Sequence, residues 1–128
     1  MPAQPRCILV VDDDDAIREV ATMALEIVGG FEVRTASSGS EAKAAVDQVH
    51  PDAVLLDVMM PGMDGPTFLA LMRADDATKA LPIIFLTAKI QAGDRRDWEA
   101  MDVAGIIAKP FDPMKLPGEI SRLLGWDV

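Results

Sequence analysis

The sequence predicts one α/β domain in which helices cover both faces of a five-stranded parallel sheet. Short apolar runs alternate five times with segments of helical spacing along the 128 residues. Four of these runs are almost continuously apolar, which is typical of parallel strands buried on both faces. A (βα)₅ order with right-handed crossovers then gives a doubly wound sheet. No linker, repeat or low-complexity segment interrupts residues 1–128, so we expect a single domain.

The strand predictions follow the apolar runs. The predicted strands are residues 7–11, 32–35, 53–56, 83–86 and 105–108. The second strand, Glu32-Val33-Arg34-Thr35, alternates polar and apolar residues, so we expect it at an edge of the sheet. Cys7 is the single cysteine, which excludes an internal disulfide and a CxxC motif. Its place at the start of the first strand predicts a small buried hydrophobe.

The first three helices are predicted from helical spacing and from residues that favour helix ends. The first runs from Asp15 to Val28, before Gly29-Gly30, and carries an apolar stripe: Ala16, Val20, Met23 and Ile27. The second begins at a capping box, Ser38 to Glu41, and turns four residues inward: Ala42, Ala45, Val46 and Val49. The third begins near Asp64 and packs through Phe68, Leu69, Leu71 and Met72.

The last two helices are less regular. The fourth is predicted from about Ala92 to Met101 and is the most polar of the five. The fifth is interrupted, because Pro113 and Pro117 both suit the first turn of a helix. We therefore expect a short turn at 113–116 and a regular helix from Pro117 to Leu124.

Composition excludes several classes of protein. The formal charge of −9 and the pI near 4.4 argue against unassisted nucleic-acid binding and against an anionic membrane surface. No apolar run approaches the ~20 residues that cross a bilayer, and the N-terminus lacks a signal-peptide apolar region. The expected location is therefore the cytoplasm.

Polar side chains follow four of the predicted strands. Asp12 and Asp13 follow the first, Asp57 the third, Thr87 the fourth and Lys109 the fifth. Open α/β sheets bind ligands at the carboxyl ends of their strands, so we expect these groups to form one site. Crowded carboxylates repel one another unless a cation intervenes, and a hard divalent ion such as Mg²⁺ suits oxygen ligands.

These motifs resemble the receiver domain of two-component response regulators, the CheY-like family. The resemblance covers residues 7 to 124 and implies the flavodoxin-like strand order 2-1-3-4-5. It rests on five positions in order along the chain. The matching segments are Val-Val-Asp12-Asp13, Leu-Leu-Asp57-Val-Met-Met-Pro61-Gly-Met-Asp64-Gly65, Leu-Thr87-Ala88 and Lys109-Pro110-Phe111.

The resemblance implies a phosphoacceptor site. Asp57 would take a phosphoryl group from a phosphohistidine of a sensor histidine kinase or a histidine phosphotransfer protein. Mg²⁺ or Mn²⁺ would be held directly by Asp13 and Asp57, through water by Asp12, and by the backbone carbonyl of Met59. Thr87 and Lys109 would contact the phosphoryl oxygens, and the Lys109-Pro110 peptide would be cis. Such a domain catalyses its own phosphorylation and dephosphorylation and is otherwise not an enzyme.

The resemblance also implies a switch, and the sequence departs from it at two positions. Ile106 stands where many receivers carry Tyr or Phe, so aromatic switching in concert with Thr87 is in doubt. Asp102 stands where a glycine is common, and we expect it in a left-handed conformation. We expect no attached output domain, and a downstream protein is expected to dock on the fourth helix, fifth strand and fifth helix. Trp98 marks either that surface or a half-buried core position.

Other interpretations compete with these. Asp14 or Asp15 is predicted to cap the first helix, Asp64 to cap the third, and His50 to have a capping or surface role. A haloacid-dehalogenase phosphatase would share an aspartyl phosphate, but Asp57 precedes Thr87 in the wrong order for its final acidic motif. A degenerate receiver would bind a partner without phosphorylation, yet no signature residue is lost. Phosphate release from p-nitrophenyl phosphate, set against labelling by acetyl phosphate, separates these readings.

Overall fold

A parallel sheet forms the centre of the computed structural model, which describes residues 5–88 and 101–126. Within these residues five strands lie in the order β2-β1-β3-β4-β5, and every neighbouring pair is parallel. The strands are β1 Cys7–Val11, β2 Glu32–Ala36, β3 Ala53–Asp57, β4 Ile83–Thr87 and β5 Gly105–Ala108. The predicted fold class and strand order are confirmed, and β2 is an edge strand as expected.

Helices connect the strands. Their bounds are α1 Asp15–Met23, α2 Gly39–Val49, α3 Gly65–Ala74 and the C-terminal helix Leu116–Leu124. A π-helical segment, Ala24–Val28, continues α1, and a turn at 113–115 precedes the C-terminal helix, close to the predicted interruption. The predicted fourth helix falls on residues outside the described part of the chain, apart from Met101, which lies in a bend. Within the described ranges, no helix is long and apolar enough to span a bilayer.

Two apolar layers cover the two faces of the sheet. On one face, α2 and α3 pack through Ala42, Val46, Phe68, Leu69 and Met72 against alternate strand residues. On the other, α1, the π-helical segment and the C-terminal helix pack through Ala21, Ala24, Leu25, Leu116 and Ile120. Cys7 is buried at the start of β1, as predicted. The doubly wound arrangement leaves the carboxyl ends of the strands free of covering helices and positions the site there.

The predicted packing face of the first helix is wrong. Ala16, Val20, Met23 and Ile27 are exposed, and Ile27 retains 76% of its accessible surface. The helix turns Ile17, Ala21, Ala24 and Leu25 toward the sheet instead. The helix is apolar on two adjacent stripes one residue apart, so periodicity alone could not choose between them. The stripe with small alanines allows closer approach to the sheet.

Two further expectations are corrected. Leu71 is 38% exposed, because Gly65, Phe68, Leu69 and Met72 already occupy the inward face of α3. Asp102 is not in a left-handed conformation; among described non-glycine residues that holds for His50 alone. Arg73 holds Asp102 instead, with an ion pair of 3.0 Å between Arg73 Nε and Asp102 Oδ2 and a 2.8 Å hydrogen bond to the Asp102 carbonyl.

The predicted helix caps are confirmed. Asp14 accepts from the amides of Ala16 and Ile17, and Asp64 accepts from the amide of Thr67 at 2.9 Å. Hydrogen bonds from Thr67 also lower the pKa of Asp64. Ser38 accepts from the Glu41 amide at 3.1 Å. Asp64 is therefore a cap, in agreement with the sequence analysis.

His50 ends α2 in the left-handed region, with φ 52° and ψ 63°. An L-residue is strained there and glycine is not, although glycine loses more freedom on folding. We predict that His50→Gly raises the free energy of unfolding by about 0.5–1 kcal/mol in urea titrations. The control is Ala44→Gly, at an exposed interior position of the same helix, which should lower it by about 1 kcal/mol. Equal losses in both variants would show that the conformation of His50 is not strained.

Candidate functional site

The site is assembled by the register of the strands. β3 and β4 each extend one residue beyond their predicted ends, so Asp57 and Thr87 are the last residues of their strands. Asp57 lies opposite Leu86, and Thr87 lies opposite Ala108, the residue before Lys109. Both Asp57 and Thr87 are buried. The predicted site residues therefore converge on one edge of the sheet.

Three carboxylates form the centre of the site. Asp12, Asp13 and Asp57 each contribute a carboxylate oxygen, and these atoms lie within 4.8 Å of one another. Asp12 is fully buried and Asp57 is 4% exposed, whereas Asp13 is exposed. Two carboxylates of the cluster are therefore buried, and the third, Asp13, faces solvent.

The Lys109 ammonium reaches both buried carboxylates. Its Nζ atom lies 2.8 Å from Asp12 Oδ2 and 3.4 Å from Asp57 Oδ1. The Lys109 amide donates to the Thr87 carbonyl at 2.8 Å, and the Lys109-Pro110 peptide is cis, as predicted. Lys109 is therefore part of the site and not a solvated surface lysine.

Backbone amides fix the two buried carboxylates. The Asp14 amide donates to Asp12 Oδ1 at 2.9 Å, and the Met59 amide donates to Asp57 Oδ1 at 3.1 Å. The Met59 side chain is exposed at the rim. The role of its carbonyl as a metal ligand stays a prediction.

Burial and charge shift two ionisation equilibria in the site. Burial, and next the neighbouring charge of Asp12, raise the pKa of Asp57 to about 6, against the opposing effects of the Met59 amide and Lys109. Burial disfavours the Lys109 ammonium, but the contacts with Asp12 and Asp57 outweigh it and raise the pKa of Lys109. Burial and neighbouring charge therefore hold the pKa of Asp57 well above its ordinary value of 3.8.

The donor set fits a hard divalent cation. When ionised, Asp12, Asp13 and Asp57 bring three negative charges, and Lys109 brings one positive charge. A divalent ion would balance the remaining two, and carboxylate oxygens are the ligands that Mg²⁺ prefers. The same ion would remove the repulsion that raises the pKa of Asp57. The three acids therefore form a candidate metal centre.

Gly65 allows the helix that follows the site to start against the β3 strand end. A Cβ atom at this position would lie 2.9 Å from the Val58 Cα, closer than unstrained packing permits. The Gly65 amide donates to the Val58 carbonyl at 3.0 Å. The loop of residues 58–64 is thereby closed tightly beside Asp57.

Arg18 is a site residue that the sequence analysis missed. Its guanidinium donates to the Asp12 carbonyl at 2.7 Å and pairs with Asp15. An arginine three residues after an acid in the first turn of a helix was the available signal. Of the predicted switch residues, Ile106 packs against the apolar layer beside α2 and α3, and Trp98 lies outside the described residues.

Comparisons with known proteins agree on one family. The family model of the response regulator receiver domain matches residues 8–121. The response regulator Rre1 of Synechocystis sp. is 37% identical over 122 residues, which cover 95% of this chain and 53% of Rre1. The phosphate regulon transcriptional regulatory protein PhoB of Pseudomonas aeruginosa is 34% identical over 119 residues, covering 93% and 52%. The chain spans about half the length of these curated relatives.

Solved structures give the same result. The chemotaxis response regulator CheY4 of Vibrio cholerae matches with a TM-score of 0.86 and 32% identity, covering 94% of this chain and 99% of that one. The N-terminal domain of a response regulator receiver protein from Methanoculleus marisnigri matches with a TM-score of 0.75 and 37% identity, covering 92% and 95%. The fold is thus shared with these proteins.

The raised pKa of Asp57 predicts a pH-dependent cost to stability. A group whose folded-state pKa is raised favours the folded state when protonated. That stabilisation is complete at pH values below 3.8, the ordinary pKa of an Asp side chain, and is lost as the pH rises through about 6, the raised pKa of Asp57. We therefore expect Asp57→Asn to raise the free energy of unfolding above pH 7 by on the order of 1–3 kcal/mol in metal-free buffer.

The stability difference between Asp57→Asn and wild type should shrink toward pH 4, as followed by denaturant titrations at several pH values. The control, Asp47→Asn, removes an exposed carboxylate of α2 and should change little. A difference that grows on acidification would contradict the electrostatic account of the site.

Proposed function

The chain belongs to the family of response regulator receiver domains, and we propose that it accepts a phosphoryl group on Asp57. Receiver domains of this family interact with histidine kinases or histidine phosphotransfer proteins, so the donor would be a phosphohistidine of such a protein. The observation that carries the proposal is the placement of Asp57. Its buried carboxylate lies beside a second carboxylate, Asp12, and the Lys109 ammonium approaches both of them.

The proposed reaction transfers a phosphoryl group from a histidine nitrogen of the donor to a carboxylate oxygen of Asp57. An Asp57 carboxylate oxygen forms a bond to phosphorus as the bond from phosphorus to the histidine nitrogen breaks, and the electron pair returns to the imidazole. Among the described residues, the Met59 amide and the Lys109 ammonium both contact Oδ1 of Asp57, so Oδ2 is the candidate attacking oxygen. The product is an aspartyl phosphate, and its hydrolysis by water resets the domain.

Charge compensation is the main task of the surrounding residues, since phosphoryl transfer depends largely on positioning and electrostatics. Lys109 meets the oxygens of the transferred group from one side, where it already contacts Asp57. Thr87 offers its hydroxyl at the neighbouring strand end. Asp12, Asp13 and Asp57, with the Met59 carbonyl, would hold Mg²⁺, which when bound supplies positive charge to the phosphoryl oxygens.

Two other functions are less well supported. A phosphatase of the haloacid-dehalogenase class would need a different order of acidic motifs, and the family match supports a receiver instead. A phosphorylation-independent interaction module would not need Asp57, Asp12 and Lys109 to meet at distances of 2.8 and 3.4 Å. We retain the phosphoacceptor function.

Phosphorylation would be read out by another protein or domain. We propose that the readout surface is formed by the segment after Thr87, by β5 and by the C-terminal helix. The Lys109 amide at the end of β5 donates a hydrogen bond to the Thr87 carbonyl, so a displacement at Thr87 reaches that strand directly. We propose that the domain exchanges between an inactive and an active conformation. A partner can shift that equilibrium only by the difference between its affinities for the two conformations.

The phosphoacceptor assignment predicts the outcome of labelling with acetyl phosphate and Mg²⁺. Asp57→Ala should abolish incorporation of radiolabel. Lys109→Ala should leave Mg²⁺ binding largely intact and slow labelling, because the ammonium acts mainly on the phosphoryl oxygens. Asp76→Ala, an exposed acid outside the site, is the control and should label as wild type does. Labelling of Asp57→Ala at the wild-type rate would refute the assignment, and multiple-turnover release of phosphate from p-nitrophenyl phosphate would favour a phosphatase.

The readout proposal predicts which amides move on activation. Beryllofluoride, which stands for the phosphoryl group on Asp57, should shift amide resonances most at 57–60, 87–92 and 98–109. Ile106 has no aromatic hydroxyl to hydrogen bond, so backbone displacement should exceed side-chain rotation there. The control is Asp57→Asn, which should show none of these shifts. Changes confined to the loops at the acid cluster, or centred on α2 and α3, would contradict the proposed output surface.

A further inference from the structure

Arg18 links the first helix to the backbone of the acidic cluster. Its Nη1 atom donates to the Asp12 carbonyl at 2.7 Å, and its Nη2 atom pairs with the Asp15 carboxylate. The Arg18 side chain is 19% exposed, whereas Asp15 is 92% exposed. The contact with the Asp12 carbonyl is therefore the better shielded of the two, and the ion pair with Asp15 contributes little by itself.

The Asp12 carbonyl belongs to the peptide bond that joins Asp12 to Asp13. The peptide unit is planar, so the orientation of this carbonyl fixes the position of the Asp13 Cα atom. It thereby influences the direction of the Asp13 carboxylate. Asp12 is restrained at its other groups as well, since its amide donates to the Ala36 carbonyl at 3.2 Å and its Oδ1 accepts from Asp14. Arg18 supplies the restraint on the side of Asp13, which is itself exposed.

We propose that Arg18 is a positioning residue for the cation site and, on the function proposed above, for phosphoryl transfer. Its planar guanidinium spans the Asp12 carbonyl and the first turn of α1 and keeps Asp12 and Asp13 directed toward Asp57. A lysine cannot reproduce this two-nitrogen contact, because its single ammonium is a point charge. Arg18 acts through the loop and does not touch the phosphoryl group.

Positioning and charge make opposite predictions, which makes the proposal testable. Loss of a positive charge beside an acidic cluster should attract Mg²⁺ more strongly if electrostatics alone mattered. Loss of the restraint should weaken Mg²⁺ binding, because residues that orient metal ligands typically change affinity ~10–100-fold when removed. The sign of the change therefore identifies the role.

The experiment is calorimetric titration of Mg²⁺ into the full chain at neutral pH. Arg18→Gln should weaken binding about tenfold, and Arg18→Lys should fall between this variant and wild type. Arg34→Gln is the matched control, since Arg34 is an exposed arginine of β2 that pairs with Glu32 at 3.1 Å, and it should bind as wild type does. Hydrogen exchange in metal-free protein gives a second readout. The exchange rate of the Asp14 amide should rise in Arg18→Gln and should stay at the wild-type value in Arg34→Gln.

The rate of labelling by acetyl phosphate separates binding from chemistry. In Arg18→Gln the rate should be reduced at low Mg²⁺ and restored at saturating Mg²⁺. Binding equal to or tighter than wild type in Arg18→Gln would overturn the proposal, as would an Arg18→Lys variant that matches wild type in affinity and exchange. If Arg18→Gln does not fold, Arg18→Lys alone decides. A wild-type chain that binds no Mg²⁺ would refute the proposed function itself, whereas normal wild-type binding with unaffected Arg18 variants would refute this inference only.

Discussion

Two buried carboxylates that share one ammonium are the constraint on which the rest of this structure depends. Asp12 and Asp57 lie at neighbouring strand ends, and Lys109 Nζ approaches them at 2.8 and 3.4 Å. One ammonium cannot balance both of them and Asp13, so burial and mutual repulsion raise the pKa of Asp57 to about 6. The site is thus left with an excess of negative charge that a cation would satisfy.

The fold brings these groups together from distant parts of the chain. Asp12 follows β1, Asp57 ends β3 and Lys109 follows β5, and the parallel sheet places these three positions at one edge. Short hydrogen bonds then fix these groups. The Asp14 amide donates to the Asp12 carboxylate, and the Met59 amide donates to the Asp57 carboxylate. Arg18 donates to the Asp12 carbonyl, at the start of the loop between β1 and α1. Precision at the site therefore comes from the sheet together with a few polar contacts.

The sequence was sufficient for features that depend on strand ends and short motifs. The edge position of β2 and the caps at Asp14, Ser38 and Asp64 agree with expectation. The strand order and the cis Lys109-Pro110 peptide agree with what the family resemblance implied. Features set by tertiary packing could not be predicted from the sequence. The first helix has two apolar stripes, and its fit to the sheet selected the one with Ala21 and Leu25. Asp102 is not in a left-handed conformation, and Arg73 binds it from a helix distant in sequence. The spacing of Arg18 from Asp15 was visible in the sequence, but its contact with the Asp12 carbonyl was not.

The central claim is that burial and the charge of Asp12 raise the pKa of Asp57, and that a divalent cation bound by the three carboxylates lowers it again. The most direct test is a Mg²⁺ titration at a series of pH values in buffers of different ionisation enthalpy, which counts the protons released. The account predicts release of about one proton per ion near pH 5, almost none near pH 8, and an affinity that declines below about pH 6. Mg²⁺ binding without proton release at any pH, or equal binding by Asp57→Asn, would contradict it.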